Sequence, residues 1–224
     1  MFSRRGGRRE GAGRKPRGAR ALVSHAARAA LSGREPVLVT VKVRREIWNL
    51  RARRVVDVVL ERIGLASDRH GMRIVHFSVQ RDHVHLMVEA CGRTALSRGV
   101  QGLSVRVARA LDRMMKRRGK VFADRFHSRV LATPRQVRHA IAYVLCNGRK
   151  HGLAAHRGWL DPCSSAHAFD GWAGAPTLDP VASASVPIAP PRTRLMRIGW
   201  RRGGGPVRID HDPDPRPDEV ERWR

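Results

Sequence analysis

The sequence predicts an α+β fold: a ferredoxin-like, four-stranded antiparallel sheet in the order β-α-β-β-α-β, followed by a further helix that carries a tyrosine. Three observations predict it. Four short runs are strand-like, two longer stretches between them repeat apolar residues at helical spacing, and a capping signal opens a third helical stretch after the last strand.

Taken in order, Val37, Val39, Val41 and Val43 alternate with Leu38, Thr40, Lys42 and Arg44, a first strand with one apolar face. Ala52, Val55, Val56, Val59, Leu60 and Ile63 follow at helical spacing, with Arg51, Arg53, Arg54 and Arg62 on other faces, and Gly71 closes the unit. Arg73 to Val79 and His83 to Glu89 read as two strands joined across Gln80-Arg81-Asp82, a hairpin. A second helix is expected from an N-cap at Thr94 to about Arg117, its stripe made of Leu96, Val100, Leu103, Val107, Leu111 and Met114. Phe126 to Ala132 supplies the fourth strand. Thr133-Pro134-Arg135-Gln136 then combines an N-cap, a proline at the first helical position and a capping-box glutamine, and predicts a third helix to about Lys150, with Gly152 beyond. Two helices cover one sheet face in this plan, so the other face needs a cover or a ligand. RNA-binding domains of the RRM type share the plan, and fold alone leaves function open.

The 224 residues support one domain plus tails, and the 42% hydrophobic content excludes wholesale disorder. The expected division is a disordered basic arm over 1–20, an extension over 21–35, the folded domain over 36–172, and a mostly disordered Pro/Gly-rich basic tail over 173–224 that docks at most a short piece such as Leu195 to Trp200. With 45 Lys+Arg against 19 Asp+Glu the net charge is +26, which points to a polyanionic partner held through phosphate neutralisation and counterion release. A GC-rich codon bias explains arginine over lysine but not the scarcity of acids. Cys91, Cys146 and Cys163 are odd in number and lack finger spacing, so neither a disulfide framework nor a zinc finger is expected. No apolar run approaches a membrane span, and the basic N-terminus leads into no apolar segment, so a cytoplasmic, nucleoid-associated protein is expected.

Within the third strand, alternation places His83, His85, Met87 and Glu89 on one face and Val84, Leu86 and Val88 on the other. Two imidazoles at i and i+2 can share one divalent ion, or they can be a pair of partly exposed polar residues on the open face. Asp82 can orient an imidazole as an acceptor, or simply make the turn. On the third helix, Val137, Ile141, Val144, Leu145 and Gly148 form the core side, while His139, Tyr143 and Asn147 fall on one stripe. Tyr143 is the only tyrosine of the chain. A phenolate can attack phosphorus when the phosphate charge is neutralised. A divalent ion on His83, His85 and the Asn147 amide oxygen would do this as a Lewis acid, Mg²⁺ or Mn²⁺ suiting the donors, with the His pair leaning towards Mn²⁺.

The segment from His76 to Val88, with its His83-Val84-His85 triplet, resembles the H-hydrophobic-H strand of single-tyrosine (HUH) transposases. Ala142 to Gly152, in which Asn147 follows Tyr143 by four residues, resembles the tyrosine helix of the REP-associated branch of that family. The resemblance runs from about Pro36 through Gly152. It implies His83, His85 and Asn147 as metal ligands and Tyr143 as the nucleophile on single-stranded, hairpin-bearing DNA, giving a 5′-phosphotyrosyl intermediate and a free 3′-hydroxyl. The activity implied is that of a metal-dependent DNA endonuclease and strand transferase, as a monomer or as a homodimer with exchanged tyrosine helices. Arg81-Asp82 stands where many relatives have Pro-Asn, and Gly148 where many have proline.

For DNA binding the candidates are Arg51, Arg53 and Arg54 at the start of the first helix, the cluster Lys116, Arg117, Arg118 and Lys120, and Arg125 and Arg129 near the fourth strand. Phe122 and Phe126 suit core packing better than base stacking, and aromatic residues are few (5%), which counts against an RRM-type RNA binder. The rival readings are a non-catalytic or regulatory nucleic-acid-binding protein derived from such a domain, and a general basic RNA binder.

Overall fold

The computed structural model describes residues 31–176 and 188–211; the basic arm expected over 1–20, most of the extension that follows it and the remaining parts of the tail lie outside the described residues. The chain runs β1 (Val37–Lys42), α1 (Arg53–Ala66), β2 (Asp68–Arg69), β3 (Met72–Val79), β4 (His83–Ala90), α2 (Arg93–Met114), β5 (His127–Val130), α3 (Pro134–Leu145) and α4 (Asn147–Lys150). It continues through β6 (Trp172–Ala173), α5 (Arg194–Arg197) and β7 (Val207–Arg208).

The sheet order is β2-β3-β4-β1-β5, antiparallel throughout. The four expected strands therefore pair as fourth-first-third-second, with the two-residue β2 added at one edge. Along β1 the valines face α1 and α2: Val37, Val39 and Val41 join Val55, Val59, Ile63, Val100, Leu103 and Leu111 in one core. The register of β3 on β4 shifts between Ile74 and His76, a bulge that leaves Val75 as the extra residue and turns it to the opposite core.

Several boundaries differ from the sequence reading. The N-cap of α2 is Gly92, without a side-chain cap, rather than Thr94: β4 passes into the helix with only Cys91 and Gly92 between them. The third helix does not run unbroken to Lys150 but ends at Leu145, and Cys146 (φ −97°, ψ 7°) separates it from the short α4. Its start matches expectation: the Thr133 hydroxyl accepts the Gln136 N–H, and the Gln136 side chain accepts the Thr133 N–H.

The second sheet face is covered by α3 and, beyond expectation, by residues 188–211 rather than by a piece limited to Leu195–Trp200. Ala189 N–H donates to Ile74 O at 2.8 Å, and the buried Glu89 carboxylate accepts the N–H groups of Arg192 and Thr193, both at 2.8 Å. Met196, Trp200, Val207 and Ile209 then pack with Val137, Ile141 and Val144 in a second core. The Arg138 guanidinium donates to Gly205 O and Pro206 O, both at 2.8 Å, and Gly203 lies so close to the first turn of α3 that a Cβ there would stand 2.5 Å from Pro134 O. Among the described residues no helix is long and apolar enough to cross a membrane.

His76 is buried on this face, its ring edge-on to Phe169 with centroids 5.5 Å apart. Burial, opposed only in part by Asp170, holds its pKa down to about 4 from an ordinary value of 6.5. Between those values the unfolded chain takes up a proton that the folded chain refuses. Stability is full above pH 6.5 and falls as the pH drops towards 4, by about 3 kcal/mol for this group. Urea midpoints measured from pH 7.5 to 4 should show that loss, and His76→Gln should flatten it; an equally steep profile in the variant would place the titration elsewhere.

Candidate active site

The alternation in β4 sends Val84, Leu86 and Val88 into the core under α1 and α2, and Met87 into the core under α3. His83 and His85 lie on the α3 side, ahead of Met87. The antiparallel register puts Thr40 opposite His85 and Lys42 opposite His83. Thr40 Oγ1 stands 2.9 Å from His85 Nδ1, and Asp82 Oδ1 stands 2.7 Å from His83 Nδ1, while Lys42 Nζ holds the other Asp82 oxygen at 3.1 Å. Asp82 is thus both the turn residue and the partner of an imidazole. With each Nδ1–H donating to its oxygen, both Nε2 lone pairs are left pointing inward. The two Nε2 atoms are 3.0 Å apart, with ring centroids 4.6 Å apart.

Helix α3 brings Tyr143 onto the same point. Its hydroxyl lies 3.3 Å from His85 Nε2, and the two rings meet edge to face with centroids 5.0 Å apart. Burial raises the Tyr143 pKa, and the neighbouring Asn147 amide pulls against that rise. The approach of that amide is close enough to act on the phenol but gives no hydrogen bond of good geometry: Asn147 is fully buried, and neither its Oδ1 nor its Nδ2 has a partner. A buried amide left unpaired costs about 1–3 kcal/mol. The His85 pKa lies well below the ordinary histidine value, first because the ring is buried and then because His83, His151 and Lys150 stand near it. His85 is therefore neutral, the form in which imidazole binds a metal.

These residues fit a divalent ion. Two donors on adjacent positions of a six-coordinate ion, each about 2.1 Å from it, stand about 3 Å apart, and the unpaired Asn147 oxygen is an available third donor. Among the described residues no three His, Cys, Asp or Glu side chains gather as a metal site, so an amide would have to complete this one.

The other candidates are dispersed. His139 is half-buried and feels Arg135, Arg138 and His211, on the side of the C-terminal segment. Arg51, expected to contact DNA, instead grips the buried Asp161 with two nitrogens at 2.9 and 2.8 Å. Arg53 and Arg54 are exposed at the start of α1, as are Lys116, Arg118, Lys120 and Arg125 elsewhere. Arg117 turns to Asp112, 3.4 Å away, and to Lys120 O. Arg129 is half-buried in β5 opposite Leu38, on the sheet face that carries His85. Phe122 and Phe126 pack against the first core.

Four neighbours of the centre escaped the sequence reading as site residues. Thr40 and Lys42 became visible only through the pairing of β1 with β4. Lys150 Nζ lies 5.5 Å from the centroid of the Tyr143 ring, and the His151 ring is 6.2 Å from that of His83, brought there by the break at Cys146.

Residues 35–144 match the family described as "Transposase IS200 like". The fold is similar to a solved structure described as a REP-associated tyrosine transposase bound to a REP hairpin, with a TM-score of 0.53 and 18% identity over 70% of this chain and 95% of that one. Among curated proteins none matches the chain.

Proposed function

Since this chain belongs, through residues 35–144, to the IS200-like transposases, we infer that it cuts and rejoins single-stranded DNA with Tyr143 as nucleophile. The observation that carries the reading is the convergence of the Tyr143 hydroxyl and the Nε2 atoms of His83 and His85 beside a buried, unpaired Asn147 amide.

The Tyr143 oxygen attacks a backbone phosphorus. The Tyr O–P bond forms, the bond from phosphorus to the 3′-oxygen breaks, and the leaving 3′-oxygen gains the proton that the phenol gives up. A 5′-phosphotyrosyl link remains, and attack by another 3′-hydroxyl reverses the step without net hydrolysis. His83, His85 and Asn147 would hold Mg²⁺ or Mn²⁺, which when bound supplies positive charge to the phosphate. Asp82 and Thr40 keep the two imidazoles turned so that Nε2 is the free donor of each. Tyr143 reaches its own chain's His pair, which supports a site complete in a monomer. Hairpin-bearing DNA is the proposed partner, the fold relative being one bound to a REP hairpin.

The test is covalent trapping. Wild-type protein incubated with a labelled single-stranded hairpin oligonucleotide and Mn²⁺ should give an adduct that survives denaturation, and His83→Ala should lower its yield at least tenfold. Tight, metal-independent binding with no adduct would establish the regulatory binder instead.

A further inference from the structure

Arg51 and Asp161, 110 positions apart, form an ion pair whose side chains are only 14% and 1% exposed. Beyond the two bonds to the carboxylate, Arg51 Nη1 donates to Val79 O at 2.9 Å, and Asp161 Oδ1 accepts the Cys163 N–H at 2.9 Å. The carboxylate is thereby fixed from two sides, by Arg51 on the approach to α1 and by the Cys163 N–H in the segment after α4, and Arg51 is itself anchored at the end of β3. Its Oδ2 lies against Gly148: a Cβ at that position would stand 2.6 Å from Asp161 Oδ2 and 3.0 Å from the Trp159 ring. Gly148 directly follows Asn147, whose amide has no hydrogen bond of its own to orient it. The backbone next to Asn147 therefore packs directly against the Asp161 carboxylate and the Trp159 ring.

We propose that the Arg51–Asp161 pair is a positioning device for Asn147: it holds a rigid carboxylate wall against Gly148 and so sets where the Asn147 amide stands beside Tyr143. This rests on the metal reading above. An aspartate held by a forked guanidinium cannot swing aside, whereas one held by a single ammonium can. Arg51 and Asp161 touch neither Tyr143 nor the His pair; they act through the backbone of residues 147 and 148.

Mn²⁺ titration followed by electron paramagnetic resonance tests this on the full chain without DNA, counting only the binding that His83→Ala removes. Arg51→Lys keeps a charge beside Asp161 but loses the fork; Gly148→Ala pushes a methyl group against the wall. Each should weaken Mn²⁺ binding tenfold or more. In Arg51→Lys/Gly148→Ala the loosened carboxylate yields to the methyl group, so the double variant should lose no more than the weaker-binding single variant. Arg51→Lys at wild-type affinity, or losses that multiply in the double variant, would overturn the proposal. Should Arg51→Lys fail to unfold cooperatively in urea, Gly148→Ala decides alone, with a tenfold loss in support and wild-type affinity against. Wild-type protein without His83-dependent Mn²⁺ binding overturns the metal reading itself and this proposal with it.

Discussion

Tyr143→Phe is expected to abolish the covalent protein–DNA adduct, a loss of about a thousandfold or more, while leaving the protein folded and its affinity for the same hairpin oligonucleotide within about threefold. The substitution removes one oxygen. The ring that remains keeps its edge-to-face contact with His85, at 5.0 Å between centroids, so the change in stability should stay below about 1 kcal/mol. Tyr143 is the only tyrosine of the chain, so no second phenol can take over. Gel separation after denaturation reads the adduct, and a binding titration in EDTA reads the affinity. An adduct of wild-type yield in the variant would remove Tyr143 from the chemistry.

The second large effect is expected in the core against which Tyr143 packs. Trp200→Ala should destabilise the protein by about 3–5 kcal/mol, a substantial part of a typical domain's stability. Trp200 is 2% exposed, its ring lies 5.4 Å from Phe169, and a Cβ on Gly171 would stand 2.4 Å from it, so the ring is closely packed on these sides and its loss leaves a cavity the size of an indole. It sits in the core that seats α3. Urea unfolding measures the loss, and the adduct yield should fall with it under mild denaturant, at concentrations where wild type is unaffected. A cost below about 1 kcal/mol would mean that the segment 194–211 contributes little to holding the tyrosine helix.

What could be read in one dimension was whatever depends on near neighbours. The period-two valines of β1, the face shared by His83 and His85, and the Thr133–Gln136 capping box are each set by residues within a few positions of one another, and all stand where the sequence reading put them. What escaped depends on distant pairing. Arg51 resembled any other arginine of a basic helix start until the fold brought Asp161 to it. Of the C-terminal segment only Leu195 to Trp200 was legible as a docking piece; Val207 and Ile209 stand sparsely among glycines, arginines and prolines, so no period marks the rest. Thr40 was one polar residue in a valine strand, and only the register against β4 makes it the partner of His85. The break at Cys146 has no proline or glycine at its own position to announce it.

The seating of α3 by residues 188–211 also bears on when the centre comes into being. The pairings among β1 to β5 are complete by Val130, and β4 presents its two histidines as soon as it pairs with β1. The tyrosine helix, made next, has its outer face unsatisfied until Trp200, Val207 and the carbonyls of Gly205 and Pro206 have been synthesised. Contacts this far apart in sequence form late, because loop closure must precede them. A growing chain therefore acquires its histidine pair early and a firmly seated Tyr143 only later. On the reading of Tyr143 as nucleophile proposed above, that order of synthesis delays cutting until the segment 188–211 has been made.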